Sequence, residues 1–415
     1  MNAAIINKYS SAFTEKLFTY LGIAIAITLV WWPLLNSICC ILFFASWFFI
    51  ADKSFFTNKR TGYTILFSSL YIISLIGFFY SSNKEEALFR IQQKIPLLLF
   101  PFVFASSNLL SKKGVYKIMY AFSFSFAAFC IYCIGKVLLS FFENGDFTNF
   151  TGYNLIALND MYPFITGVFC TFCIVFHFLK IKLEHNNLFI HVFFIFLFWI
   201  MLLLLANIIA LFTAAVVTFF YTFLLLKTHV QRIIFCLLCG AVLVTNFYFN
   251  ATFKQKIIAL TDFSTENEIQ LDTDASLGRS WDGKALRVAI WKCSGDLIRN
   301  NYIFGLGTGD VQDSLQYAYE LRKFYFASRY NRYNAHNQYI QQMLLHGIFG
   351  LVLLVCCITI PFFYTPVSNN QFLIPFLFIF GVICFTESVL EVNKGIIWYS
   401  FFNSIFVFSE TRTES

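Results

Sequence analysis

Apolar runs of about 18–20 residues recur along almost the whole of this sequence, each long enough to cross a bilayer as a helix. Only 12% of the 415 residues are charged and 59% are hydrophobic, too few charges to solvate a soluble fold of this size. Within hydrocarbon the backbone must satisfy its own hydrogen bonds, which leaves helical bundles and closed barrels. A barrel would show short alternating segments, and none is evident. The sequence therefore predicts an all-α polytopic membrane protein.

Twelve spans are expected, at roughly 15–33, 36–51, 62–80, 95–109, 115–142, 161–180, 188–204, 206–227, 231–249, 337–362, 371–390 and 394–409. The first is followed at once by another and lacks a small-residue cleavage site, so no cleavable signal is expected. With the N-terminus inside, the inside segments hold Lys8, Lys16, Lys53, Lys59, Arg60, Lys112, Lys113, Lys117, Lys180, Lys182, Lys227, Arg232 and Arg412. The short outside loops hold only Lys84, Arg90, Lys94 and Lys394. This asymmetry places both ends in the cytoplasm. It also accounts for the +7 net charge by position, with no basic arm of the kind that binds nucleic acid.

Three parts follow: a nine-span bundle over 1–249, an outside loop subdomain over 250–335, and C-terminal helices over 336–415. The loop holds 10 acidic and 11 basic residues, so it reads as a solvated subdomain. A helix is expected over 284–299, with Leu286, Ile290, Cys293 and Leu297 on its apolar face. Segment 81–94 is short and amphipathic and is expected to lie in the interface beside the bundle. Twelve cysteines include three CxxC pairs, but all six of those residues fall in apolar spans, where cysteine acts as a small hydrophobe. No metal site is expected.

The chemistry-bearing residues gather where the loop returns to the membrane. His336-Asn337 is followed after nine residues by Gly347-Ile348-Phe349-Gly350. An imidazole titrates near neutrality and suits a general base. Tyr339, Met343, His346, Gly347 and Gly350 follow at helical spacing, and the two glycines would admit a close neighbouring helix. Upstream, Arg287 and Trp291 sit four apart, and Arg279 is a further loop arginine. A guanidinium is a planar, permanently charged fork suited to phosphate oxygens. Gly305-Leu306-Gly307-Thr308-Gly309-Asp310 reads as a tight turn, either facing an anion or packing the loop onto the bundle. It lacks the strand and Lys-Ser/Thr of a nucleotide loop. Glu387 and Glu391 stand four apart at the outer end of the eleventh span, either facing the His336 cavity or capping a turn.

This set resembles the bacterial O-antigen ligase and O-antigen polymerase superfamily: the His-Asn and Gly-x-x-Gly pair, the Arg-x-x-x-Trp segment and the Gly-x-Gly turn. The resemblance implies a metal-independent, inverting membrane glycosyltransferase with no cofactor. Its donor would be a glycan on undecaprenyl pyrophosphate, and its acceptor a hydroxyl of the lipid A core. His336 would take the acceptor proton, while Arg287, Arg279 and Asn337 would bind substrate. The active site would face the periplasm from the bacterial inner membrane. A polymerase, a glycan-to-protein transferase and, outside the class, a polysaccharide transporter are the alternatives. The sequence departs from the pattern at Ala206-Asn207-Ile208-Ile209-Ala210, where many members carry an arginine that contacts pyrophosphate. Arg90 and Lys94 are the expected substitutes.

Overall fold

A computed structural model describes residues 2–51, 58–145, 151–156, 161–183, 187–261, 283–364 and 371–408. Among these residues every regular element is helical. Helices α1 (Asn2–Trp31), α2 (Pro33–Ile50) and α3 (Asn58–Tyr80) lead to α4 (Lys84–Lys94) and α5 (Pro96–Ser106). Then come α6 (Lys112–Asn144), α7 (Pro163–Leu183), α8 (Leu188–Leu205), α9 (Ile208–Leu225) and α10 (His229–Phe249). Helices α11 (Ala251–Thr261), α12 (Gly283–Asn301) and α13 (Val311–Leu321) follow, and α14 (Gln338–Tyr364), α15 (Leu373–Ile383) and α16 (Asn393–Phe408) close the chain. Among the described residues, ten helical stretches are long and apolar enough to cross a membrane, with α4 and α5 counting together as one. The chain is a multi-pass membrane protein.

The eleventh expected span is shorter than the sequence pattern suggests, whereas the twelfth keeps its expected length. Helix α15 has 11 residues and α16 has 16. Chain 384–392, expected as helix up to 390, has left the α-helix, and that unwinding builds the site below. Such backbone survives at membrane depth only where protein pairs its polar groups. Helix α4 also departs from expectation. It packs against α3, α5 and α16, and Ala87, Ile91 and Lys94 are buried.

Two apolar clusters organise the molecule. The larger fills the bundle around α7, whose residues from Phe164 to Lys180 are all buried. Phe172 on α7 meets Phe402 and Trp398 on α16 and Phe376 on α15, with ring centroids 4.9, 5.7 and 5.6 Å apart. The smaller cluster joins α12 and α13 to the start of α14 through Ile290, Cys293, Leu315, Tyr319, Ala335, Leu344 and Leu345. Burial pushes the Cys293 thiol up to about 12, so it packs as a neutral side chain.

Helix α14 is broken in its middle. His346 and Gly347 leave helical geometry, and Gly347 takes φ +60. The 302–307 turn fills the break: Leu306 N–H donates to Leu344 O at 2.8 Å and Gly307 N–H to Leu345 O at 3.0 Å. In return Ile348 N–H donates to Tyr302 O at 2.8 Å. The close approach at Gly347 is therefore from the Ile303 carbonyl of a loop, where the sequence suggested a neighbouring helix. The glycine turn packs the loop onto the bundle: Gly305, Leu306 and Gly307 direct their N–H groups at protein carbonyls, and Gly309 N–H donates to Ser81 Oγ at 3.0 Å. Asp310, closing it, accepts from Ser82 N–H and Asn83 N–H at 2.7 Å each.

Candidate functional site

His336 sits just before α14 with φ +44, a left-handed backbone that costs a non-glycine residue about 1–2 kcal/mol. Three local contacts hold it there. Its N–H donates to Asn334 Oδ1 at 3.0 Å, and Ala335 N–H donates to Gln341 Oε1 at 3.2 Å. Trp291 Nε1–H donates to Ala335 O at 3.0 Å. The Tyr333 ring stands edge-on to the imidazole at 5.2 Å.

The unwound chain after α15 supplies the other wall. Its successive carbonyls are each taken: Cys384 O by Gln338 N–H (2.8 Å), Phe385 O by Asn337 Nδ2–H (2.9 Å) and Thr386 O by Arg287 Nε–H (3.1 Å). This carries the buried Glu387 between two partners. One carboxylate oxygen receives Arg287 Nη2–H at 2.6 Å, and the other lies 3.2 Å from His336 Nδ1. A carboxylate shared with Arg287 can only accept, so Nδ1 carries the proton and Nε2 presents a lone pair. No described group bonds Nε2, and the imidazole is 27% exposed. The arrangement is an imidazole oriented by a carboxylate, with a guanidinium alongside.

The i, i+4 spacing of Arg287 and Trp291 has a direct structural use. From one face of α12 they clamp the two strips of chain that carry Glu387 and His336. Arg287 remains 28% exposed. Its Nη1–H also donates to Gly283 O at 2.9 Å.

The other expected site residues are placed differently. Asn337 caps α14: its Oδ1 accepts from Tyr339 N–H at 2.9 Å and Ile340 N–H at 3.0 Å, and its amide nitrogen is held by Phe385 O. Both side-chain polar atoms thus bond backbone groups, and its own N–H donates to Ser388 Oγ at 3.3 Å. Lys94 is 1% exposed and lies 2.9 Å from Glu391. Arg90 pairs with Glu86 at 2.7 Å and lies 4.0 Å from Glu391. Arg90 and Glu391 line a cavity of about 30 Å³ with Asn334 and Gln341, room for about one water. Arg279 lies outside the described residues. His346 is buried behind the glycine turn, with Nε2 3.3 Å from Ser74 Oγ.

Sequence reasoning assigned no role to Lys256. It reaches from α11 to the α8–α9 corner, where its ammonium donates to Ala206 O at 2.8 Å. The residue is exposed, yet crowding around its ammonium and then the Arg287 charge lower its pKa from the usual lysine value. Its signal in the sequence is faint: a lysine soon after an apolar span, among polar neighbours.

Residues 191–355 match the O-antigen ligase family. The match to the O-antigen ligase model runs from α8 into α14 and takes in Lys256, Arg287, His336 and Asn337. Glu387, Arg90 and Lys94 lie beyond it. It supports the superfamily that the motifs resemble and, in general terms, a ligase- or polymerase-type membrane enzyme working on a lipid-linked glycan. No curated protein matches the chain.

Proposed function

We propose that the protein is an O-antigen ligase-type glycosyltransferase of the bacterial inner membrane, with its site on the periplasmic side. It transfers a glycan from undecaprenyl pyrophosphate to a sugar hydroxyl of the lipid A core. The observation that carries the reading is the His336–Glu387–Arg287 linkage, at 3.2 and 2.6 Å, within and beside the family match. The excess of Lys and Arg in the opposite loops supports the sidedness.

In this reading the acceptor hydroxyl gives its proton to His336 Nε2 as its oxygen attacks the anomeric carbon. The new C–O bond forms while the bond to the pyrophosphate oxygen breaks, and that oxygen keeps the electron pair. Displacement from the opposite face inverts the anomeric centre. The imidazolium formed is stabilised by Glu387, and Arg287 offsets charge on the departing pyrophosphate. Arg287 is already bonded to Glu387, so its charge is partly spent on orientation.

Deletion of the gene, complemented by wild type or His336→Ala, tests the reading through surface glycolipid. Loss of the enzyme leaves free core plus accumulated lipid-linked polymer, and His336→Ala fails to restore ligation. With purified protein the variant transfers about 10²–10⁴-fold more slowly at normal abundance. Core bearing one repeat unit identifies a polymerase instead. Full activity of His336→Ala removes the proposed base.

A further inference from the structure

A small cavity adjoins the strip of chain that carries His336. Asn334 and Gln341 line it, and the same two side chains fix the strip by accepting from His336 N–H and Ala335 N–H. Gln341 is 4% exposed. Its Oε1 is used on Ala335, but its NH2 group has no partner among the described residues. A buried donor left unbonded costs free energy, so this one marks a place that a polar group fills. Gln312 lines the same cavity with the opposite need. Its NH2 group donates to Arg332 O at 2.8 Å, and its Oε1 has no described partner. One donor and one acceptor therefore stand open in one cavity.

Charge narrows what can enter. Arg90, Glu86 and Glu391 also line the cavity. Arg90 is bonded to Glu86 at 2.7 Å, and Lys94 holds Glu391 at 2.9 Å. These two cations and two carboxylates cancel, so a phosphate gains no net attraction and would meet both carboxylates. Volume narrows it further. About 30 Å³ admits one water-sized group and no sugar ring. The buried Val311 and Leu345 give that group an apolar wall for an attached carbon. A small neutral group that both donates and accepts is a hydroxyl.

We propose that this cavity is a sugar subsite, taking one hydroxyl or hydroxymethyl substituent of the glycan or of the acceptor sugar. The inference rests on the functional reading above and deepens it by naming a specificity contact next to the chain that carries the base. Gln341 Nε2–H donates to the substituent's oxygen, and Gln312 Oε1 accepts from its O–H. The partly exposed Glu86 and Arg90 form the mouth. Glu391 is committed to Lys94 and only closes the cavity. The contact is made away from the reacting atoms, so it holds substrate and transition state alike and acts on KM. A sugar that lacks the substituent, or carries a charged one there, binds less well.

Transfer kinetics of the purified full-length chain in detergent test the subsite, with lipid-linked glycan and lipid A-core acceptor varied separately. Gln341→Glu keeps an oxygen for Ala335 N–H and replaces the open donor with an acceptor. Val311→Ile keeps every polar group and takes up cavity volume. Each should raise KM for one of the two substrates about five- to tenfold, with kcat within about twofold of wild type. The substrate whose KM moves is the one whose sugar enters. Val311→Ile should melt near wild type, so it decides the matter if Gln341→Glu does not fold. If both KM values of Val311→Ile stay at wild type, the cavity holds a trapped water only and the functional reading stands. If kcat falls and both KM values stay, these side chains position His336 alone and the subsite is wrong. If wild type transfers nothing from the lipid-linked donor, the functional reading falls and the subsite falls with it.

Discussion

Glu387 has two oxygens and divides them between residues from different elements, which makes it the side chain through which His336 and Arg287 sense each other. Glu387→Gln is nearly isosteric but turns one acceptor into an NH2 donor. Facing Nδ1, that donor forces the imidazole proton onto Nε2 and removes the base; facing Arg287, it sets donor against donor. Transfer should fall about 10²–10⁴-fold with the protein still inserted. Rates near wild type, measured on purified protein at matched concentration, would show that orientation of His336 does not depend on this carboxylate. His336 and Arg287 were legible because each lies in a local motif. Glu387 was visible only as an unusual intramembrane charge, since its pairing depends on where α15 stops, and no local spacing reports that. Asn337 illustrates the converse. Beside a histidine motif it reads as a ligand contact, yet a polar residue at a helix start is also the ordinary N-cap, and its Oδ1 serves two helix N–H groups while its amide nitrogen is held by Phe385 O.

At the scale of elements, the Gly-x-Gly turn and the Gly-x-x-Gly pair are two halves of one interlock. Gly305 takes φ +71, and a Cβ there would meet His346 N at 2.5 Å. Gly347 takes φ +60, and a Cβ there would strike the Ile303 carbonyl. Gly305→Ala or Gly347→Ala combines left-handed strain with backbone overlap, together costing about 2–5 kcal/mol. Both should lower membrane abundance and melting temperature, and loss of transfer should follow loss of folded protein. Gly62→Ala is the control, because nothing lies within 4 Å of its Cβ position. Abundant, stable and inactive alanine variants would instead assign the turn to the ligand. The glycines stood out in the sequence, but their partners did not. Helical spacing across 337–362 predicts an unbroken helix, and only the docked turn supplies the hydrogen bonds that let α14 break at His346-Gly347.

On the scale of the whole molecule, apolar run length located the ten long helices, but it could not foresee that α15 ends early or that α4 docks inside the bundle. Composition places a segment near a membrane; partners decide whether it lies beside the bundle or in it. Lys94 shows the difference. In the sequence it is an outward cation near a span end, available to a phosphate. In the fold it ties α4 to the turn before α16 through Glu391, at 1% exposure. Lys94→Met strands Glu391 in a buried site with only Arg90 nearby, a break that typically costs about 3–5 kcal/mol. The single variant should therefore be scarce in the membrane. Lys94→Met combined with Glu391→Gln removes both charges and should recover abundance, since an ion pair exchanged for neutral groups is often close to neutral in stability. The decisive measurement is transfer by that double variant. If the pair is a strut, rescued protein is active; if Lys94 holds the donor, rescued protein is abundant and inactive.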